Sequence, residues 1–266
     1  MILTTENYYS VAANQKYMSV SQYKDFMKCE AMAMAKLQGA YQQQPTTALL
    51  VGSYVDSYFE GTLAQFIEKH PEIFKANGEL KKDYSQAEEI IERVSKDKLF
   101  MAYMSGEKQR IFTASLFRAP WKIKIDALSR NRIVDLKVMR SMDRIMGKSF
   151  VEYWGYDLQL AVYAEVERRQ RRRKKQKDTY LAVATKETPA NLELICVPEW
   201  RREECLAEVE KNMPRILKIK AGEIKAERCE VCPYCRATKQ LKEPIDFELV
   251  GFSAQERRIM EGVFED

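Results

Sequence analysis

In the first third of the chain, apolar residues recur at helical spacing. Tyr23, Phe26, Met27, Ala31, Met34 and Leu37 follow the N-cap hydroxyls of Ser19 and Ser21 and stop before Gly39, a pattern that predicts one amphipathic helix. A second helix is signalled by Pro45-Thr46-Thr47 and runs through Leu49, Leu50, Val55 and Phe59 to about Gly61. A third, from Tyr84 to Asp97, carries Ile90, Ile91 and Val94 as its buried stripe. Between about Arg110 and Met139 the period changes. β-Branched and aromatic residues there alternate with polar ones, and Pro120 and the cluster Ser129-Arg130-Asn131-Arg132 punctuate what reads as a three-strand meander. Residues 141 to 174 return to a long helical pattern, Thr179 to Thr185 and Leu192 to Val197 read as two more strands, and Glu199 to Ala221 as another amphipathic helix. The expected architecture is α/β: a central mixed β-sheet flanked by helices, with helical N- and C-terminal segments. We expect a single domain over residues 1–266, with a core at about 45–200 and the segments 1–44 and 200–266 packed on it.

The length of 266 residues and the 45% hydrophobic content allow a sizeable core. Nothing approaches the roughly 20 uninterrupted apolar residues of a membrane span, and Met-Ile-Leu-Thr-Thr-Glu lacks a signal-peptide pattern. The expectation is a cytoplasmic protein without a membrane partner. The net charge of +5 is local, because the run Arg168 to Lys177 holds 8 positive charges and leaves −3 for the rest (+5 less 8). Such a run can hold phosphates through counterion release or can be a solvated helix end; DNA contact is the reading we carry forward. The lone histidine, His70, precedes Pro71. One histidine excludes an HxxxH-type zinc site and any chemistry needing two imidazoles, and a lone histidine in a turn is far more often structural than catalytic, so the chemistry is expected on carboxylates, lysines, tyrosines or cysteines.

The segment Trp121 to Met139 folds naturally into two strands joined at Arg130-Asn131. With paired residue numbers summing to 261, Ile123 faces Val138, Ile125 faces Leu136 and Ala127 faces Val134, a wholly apolar face. The other face opposes Asp126 to Asp135 and Lys124 to Lys137. Opposed like charges weaken a ladder, and a cation reverses that penalty. Mg²⁺ takes oxygen ligands at roughly 2.0–2.1 Å and keeps several waters, which Asp126, Asp135 and the carbonyl of Leu136 can satisfy. Lys137, two residues after Asp135, projects to the same face. There it can orient or help deprotonate an attacking water and offset charge in phosphodiester hydrolysis. The bland alternative is a solvated polar face.

Asp56 and Glu60, four apart on the second helix, share a face and could extend the metal shell. On the helical stretch after the hairpin, Tyr156, Gln159 and Tyr163 fall at i, i+3 and i+7, a polar-aromatic stripe in which the glutamine suits a DNA phosphate or base. Lys-Ile-Asp126, then Asp135-Leu-Lys137, then Gln159-Leu-Ala-Val-Tyr163 resembles the Asp, (D/E)XK and QxxxY series of PD-(D/E)XK nucleases. The resemblance is to the RecE-type (exodeoxyribonuclease VIII-like) and RecB-like families carried by phages and prophages, and covers roughly residues 15 to 240. It implies a restriction-endonuclease-like core and a Mg²⁺- or Mn²⁺-dependent exonuclease on linear duplex DNA. It also implies a single-strand-annealing recombination protein as partner, and homo-oligomers of the kind found among relatives. Where the family usually carries a histidine near the metal, this chain has Asp56.

Cys229, Cys232 and Cys235 form a C-x2-C-x2-C group, a strong signal for a metal or cluster. The resemblance implies Cys29 as fourth ligand, because some RecB-like nucleases close a [4Fe-4S] cluster with one cysteine ahead of the core and three behind it. Iron and sulfur are the first reading; Zn²⁺ on four cysteines is the rival, and free thiols the bland outcome. Cys196 and Cys205 read as core residues. Two other functions stay open: a non-catalytic DNA-binding recombination scaffold and an RNA-directed nuclease.

Overall fold

Helices α1 (Val11–Lys16), α2 (Val20–Lys28), α3 (Glu30–Leu37), α4 (Thr47–Glu60), α5 (Leu63–Lys69), α6 (Lys82–Ser95) and α7 (Lys98–Met104) precede the strands β1 (Glu107–Leu116), β2 (Ala119–Leu128) and β3 (Arg132–Met139). Then come α8 (Phe150–Tyr153), α9 (Tyr156–Gln170), β4 (Asp178–Thr185), β5 (Leu192–Val197), α10 (Glu199–Ala221), α11 (Pro233–Ala237) and α12 (Ala254–Met260). The computed structural model describes residues 1–43, 46–241 and 244–260. Two compact units emerge. One gathers Met1–Gln43, Phe117–Pro120 and Glu210–Asp266, and the other Gln44–Leu116 and Trp121–Val209.

The second unit is built on a five-stranded sheet of order β1-β2-β3-β4-β5. β3 runs antiparallel to β2 and parallel to β4, and β4 antiparallel to β5, so the sheet is mixed. The parallel β3–β4 pair, aligned from Arg132↔Asp178 to Met139↔Thr185, needs a long crossover, which α8 and α9 supply. Ala127, Val134, Leu136, Ala182 and Ala184 bury one sheet face against Val51, Tyr54 and Val55 of α4 and Ile90, Ile91 and Val94 of α6. The strand alternation turns Asp135 and Lys137 to the opposite face. The β2–β3 rungs Ala127↔Val134 and Leu128↔Ile133 both sum to 261, the register that the apolar face predicts. At Gly106, φ +121°, an added Cβ would collide with the Leu128 carbonyl, so only glycine admits β1 beside the end of β2.

Element types follow the sequence pattern, with two breaks that periodicity conceals. The helix expected after Ser19 is divided at Cys29, whose extended backbone (φ −168°) ends α2 while its sulfur caps α3 by accepting the Met32 N–H. The break re-phases the apolar stripe: Met32, Ala33, Ala35 and Leu37 are buried, whereas Met27 is exposed. The helical stretch expected over 141–174 starts only at Phe150, because residues 141–149 form no helix and Ile145 and Lys148 make an isolated β-bridge instead; the rest is interrupted. Ser149 and Glu152 form a capping box that starts α8, and Gly155, left-handed at φ +61°, redirects the chain into α9. α4 begins as the sequence signals, with the Thr46 hydroxyl accepting the Leu49 N–H; Pro45 lies outside the described residues.

Candidate functional site

The hairpin ladder gives way where the two aspartates face. In this register Leu136 is a residue whose N–H and C=O both point toward β2, and an unbroken ladder would give its N–H to the Ile125 carbonyl. It goes instead to Asp126 Oδ2 at 3.0 Å. The Asp126 carboxylate therefore lies in the seam between the strands, and the Leu136 carbonyl emerges at the same edge. Asp126 Oδ1 accepts from Gln109 Nε2 at 3.2 Å.

Asp135 is buried, and its two oxygens differ. Oδ1 accepts from Gln159 Nε2 at 2.7 Å. Oδ2 is paired with Lys137 Nζ at 2.5 Å. Lys137 Nζ also sits 5.2 Å from the centre of the Tyr156 ring. Burial, with Asp126 alongside, pushes the Asp135 carboxyl up to about 6 against the pull of Lys137. Asp135 and Asp126 hold the Lys137 ammonium above its ordinary value in spite of its burial.

From α4, Asp56 and Glu60 join this field. Burial raises Asp56 well above the usual carboxylate range, with Asp126, Asp135 and Glu60 adding to the shift and Lys137 opposing it. Glu60 rises through burial and Asp126, opposed by Lys124. An open depression of about 190 Å³ is lined by Asp56, Glu60, Lys108, Gln109, Asp126 and Leu136 among others. Asp56, Glu60 and Asp135, held above their ordinary range, together with Asp126 beside them make an all-oxygen donor set that suits a hard divalent cation.

Within α9, Tyr156, Gln159 and Tyr163 are half-buried while Asp157, Leu158, Leu160, Ala161, Val162, Ala164, Glu165 and Val166 are buried. The stripe is thus the open edge of α9 between Tyr156 and Glu167. Gln159, expected at DNA, holds Asp135. The basic run divides. Buried Glu165 accepts from Arg168, Arg169 and Gln176, buried Glu167 from Arg173, and Lys177 from within the sheet unit donates to the Ser129 and Arg130 carbonyls of the hairpin turn. Arg171, Arg172, Lys174 and Lys175 are exposed. Lys108 and Gln109 were not singled out from the sequence, since Glu107-Lys-Gln-Arg reads as an ordinary polar strand start. Their place is set by the positive φ of Gln109, +52°, which no side-chain pattern announces.

In the other unit, the sulfurs of Cys29, Cys229, Cys232 and Cys235 all lie within 4.8 Å of one another. Cys29 is brought there by Glu227, whose carbonyl accepts the Ala31 N–H at 2.9 Å and whose N–H bonds Glu30 Oε2 at 2.7 Å. Cys232 caps α11. Burial, with Cys29 and Cys232 adjacent, pushes the Cys235 thiol up to about 12. Cys196 is exposed, contrary to its expected core role, because it falls on edge strand β5; Cys205 is buried as expected. No helix among the described residues is long and apolar enough to cross a membrane.

The model of a family described as a PDDEXK-like domain of unknown function (DUF3799) matches residues 19–238. The crystal structure of an exonuclease candidate from Eubacterium rectale is 49% identical, covers 94% of this chain and 99% of that one, and superposes with a TM-score of 0.90. That of SSO0001 is 14% identical over 84% of this chain and 96% of that one, with a TM-score of 0.32 that carries no weight. No curated protein matches.

Proposed function

This chain belongs to the PDDEXK-like family DUF3799, and from that premise we propose that it is a Mg²⁺-dependent exonuclease on linear double-stranded DNA. Its expected setting is phage or prophage recombination of the RecE type, with a single-strand-annealing protein taking up the product. The observation that carries the reading is the meeting of Asp126 and Asp135 at the opening of the β2–β3 hairpin, with Lys137 on the same side 2.5 Å from Asp135.

Asp126, Asp135 and the Leu136 carbonyl would hold Mg²⁺ or Mn²⁺, with Asp56 and Glu60 completing the shell. When bound, the ion supplies Lewis acidity at the phosphate and a water acidic enough to attack at neutral pH. Lys137, kept charged by its carboxylate neighbours, donates to the attacking water or the phosphate oxygens and offsets the negative charge that grows on them. The Tyr156 ring lies 5.2 Å from the ammonium, and Gln159 fixes the Asp135 carboxylate through Oδ1 while Oδ2 faces Lys137. Tyr163, two turns along the same open stripe, would position the nucleic-acid strand. The exposed cations Arg171, Arg172, Lys174 and Lys175 supply sequence-independent attraction to phosphates.

The test is digestion of end-labelled linear and circular DNA, with RNA in parallel, with and without Mg²⁺. Mg²⁺-dependent loss of linear duplex that disappears in Asp135→Ala is expected. Salt-sensitive DNA binding without cleavage would identify a non-catalytic scaffold instead, and cleavage of RNA alone an RNA-directed nuclease.

A further inference from the structure

We propose that Cys29, Cys229, Cys232 and Cys235 bind a single zinc ion in tetrahedral geometry, in place of the [4Fe-4S] cluster that the RecB-like resemblance implies. The sulfurs are too close for the cluster. Cys29 and Cys235 stand 3.6 Å apart, Cys229 and Cys235 4.0 Å, and all four fall within 4.8 Å of one another. Four sulfurs at zinc's usual bond length of about 2.3 Å mark a tetrahedron with edges of about 3.8 Å. A cubane cluster places four irons and four sulfides between its thiolates. Each of its cysteine sulfurs stands one iron–sulfur bond outside an iron at a corner of the cube, so the four thiolates spread around the whole cluster, wider than the four sulfurs here.

The surroundings suit thiolates around one dication. Cys29 accepts the Met32 N–H at 3.5 Å, Cys229 the Cys232 N–H at 3.3 Å and Cys232 the Cys235 N–H at 3.4 Å. Each donor lies three residues beyond its sulfur, so the C-x2-C-x2-C spacing sets two successive N–H donors on two successive ligands. Four thiolates and Zn²⁺ leave two negative charges. Arg228, bonded to the Cys235 carbonyl at 2.7 Å, brings a guanidinium beside them. Met32 and Tyr234 pack around the group and limit water. Soft thiolates in a closed tetrahedron favour zinc over the hard cation of the carboxylate site. The ion would tie the α2–α3 junction to a segment 200 residues later (29 to 229), whatever reaction the other unit performs.

The test uses the full-length chain, expressed with both iron and zinc supplied and purified without oxygen. Elemental analysis should find about one zinc per chain and negligible iron, with no broad visible absorption. Iron in any stoichiometry, or a chain without metal, would overturn the assignment. Exchange for Co²⁺ should give the intense visible bands of tetrahedral thiolate cobalt; weak octahedral bands would also overturn it. Cys229→Ser should lose the zinc and Cys196→Ser should keep it. If Cys229→Ser fails to fold, the cobalt spectrum of the wild type decides alone. Asp135→Ala should retain its zinc, so the zinc assignment and the nuclease reading fail separately.

Discussion

The hairpin carboxylates and the cysteine group are both candidate ligand clusters, yet they are built on opposite terms. Among the described residues only the cysteines form a group of three or more ligand atoms mutually within 4.8 Å. The carboxylates are more widely set, and burial and neighbouring carboxylates hold Asp56, Glu60 and Asp135 above their ordinary range. A closed set of soft ligands is suited to a structural ion that never leaves. A more widely set group of hard ligands beside an open depression is suited to a reaction. The difference teaches that spacing alone does not define a metal site. What separates the two is how far the protein itself satisfies the ligands before any ion arrives.

That contrast can be broken most sharply at Asp126. Asp126→Asn should lower Mg²⁺-dependent DNA degradation by about a thousandfold, with thermal unfolding and zinc content unchanged; an equal fall in stability would make the residue structural. Next in size, stripping zinc with a thiol reagent should destabilise the protein by roughly 3–5 kcal/mol, read by thermal denaturation. Omitting Mg²⁺ from the assay should stop cleavage while leaving the zinc content in place. Gln159→Ala should cost about 10- to 100-fold in activity or metal affinity, because it frees Asp135 Oδ1 from its donor. Weakened DNA binding with normal metal affinity would return Gln159 to the strand-contact role.

How far these regions could be read in advance differs for a physical reason. The hairpin was legible because a period of two fixes faces: one register made Ile123, Ile125 and Ala127 meet apolar partners, and it forced Asp126 and Asp135 together. Asp56 and Glu60 were legible from helical spacing. Gln109 was not, because its place depends on a left-handed backbone and on Asp126 leaving the ladder to take the Leu136 N–H. The break at Cys29 was invisible because Tyr23 to Leu37 keeps an unbroken apolar rhythm; the interruption comes from Glu227, almost two hundred residues away. The basic run read as a surface for DNA, but its net charge hid the buried acids Glu165 and Glu167 that bind Arg168, Arg169 and Arg173.

Those buried acids give a third, smaller contrast, in which the protein supplies its own counter-ions. Although burial opposes it, donors from Arg168, Arg169 and Gln176 lower the Glu165 carboxyl from its ordinary 4.5 to about 2. A depressed carboxylate contributes stability that is fully present above about pH 4.5 and lost as pH falls toward about 2. Discounted for the partly exposed arginines, the contribution is roughly 1–2 kcal/mol. Glu165→Gln should remove that acid-sensitive part of the denaturation profile, with little change in metal-dependent cleavage; an unaltered profile would place the acid lability elsewhere.

The most direct measurement is Mn²⁺ binding to the metal-free carboxylate site, followed by electron paramagnetic resonance, in wild type, Asp126→Asn and Asp135→Asn. Two aspartates on neighbouring strands sharing one ion predict a wild-type site that both substitutions weaken at least about tenfold. Undiminished Mn²⁺ binding in either variant would contradict a shared site.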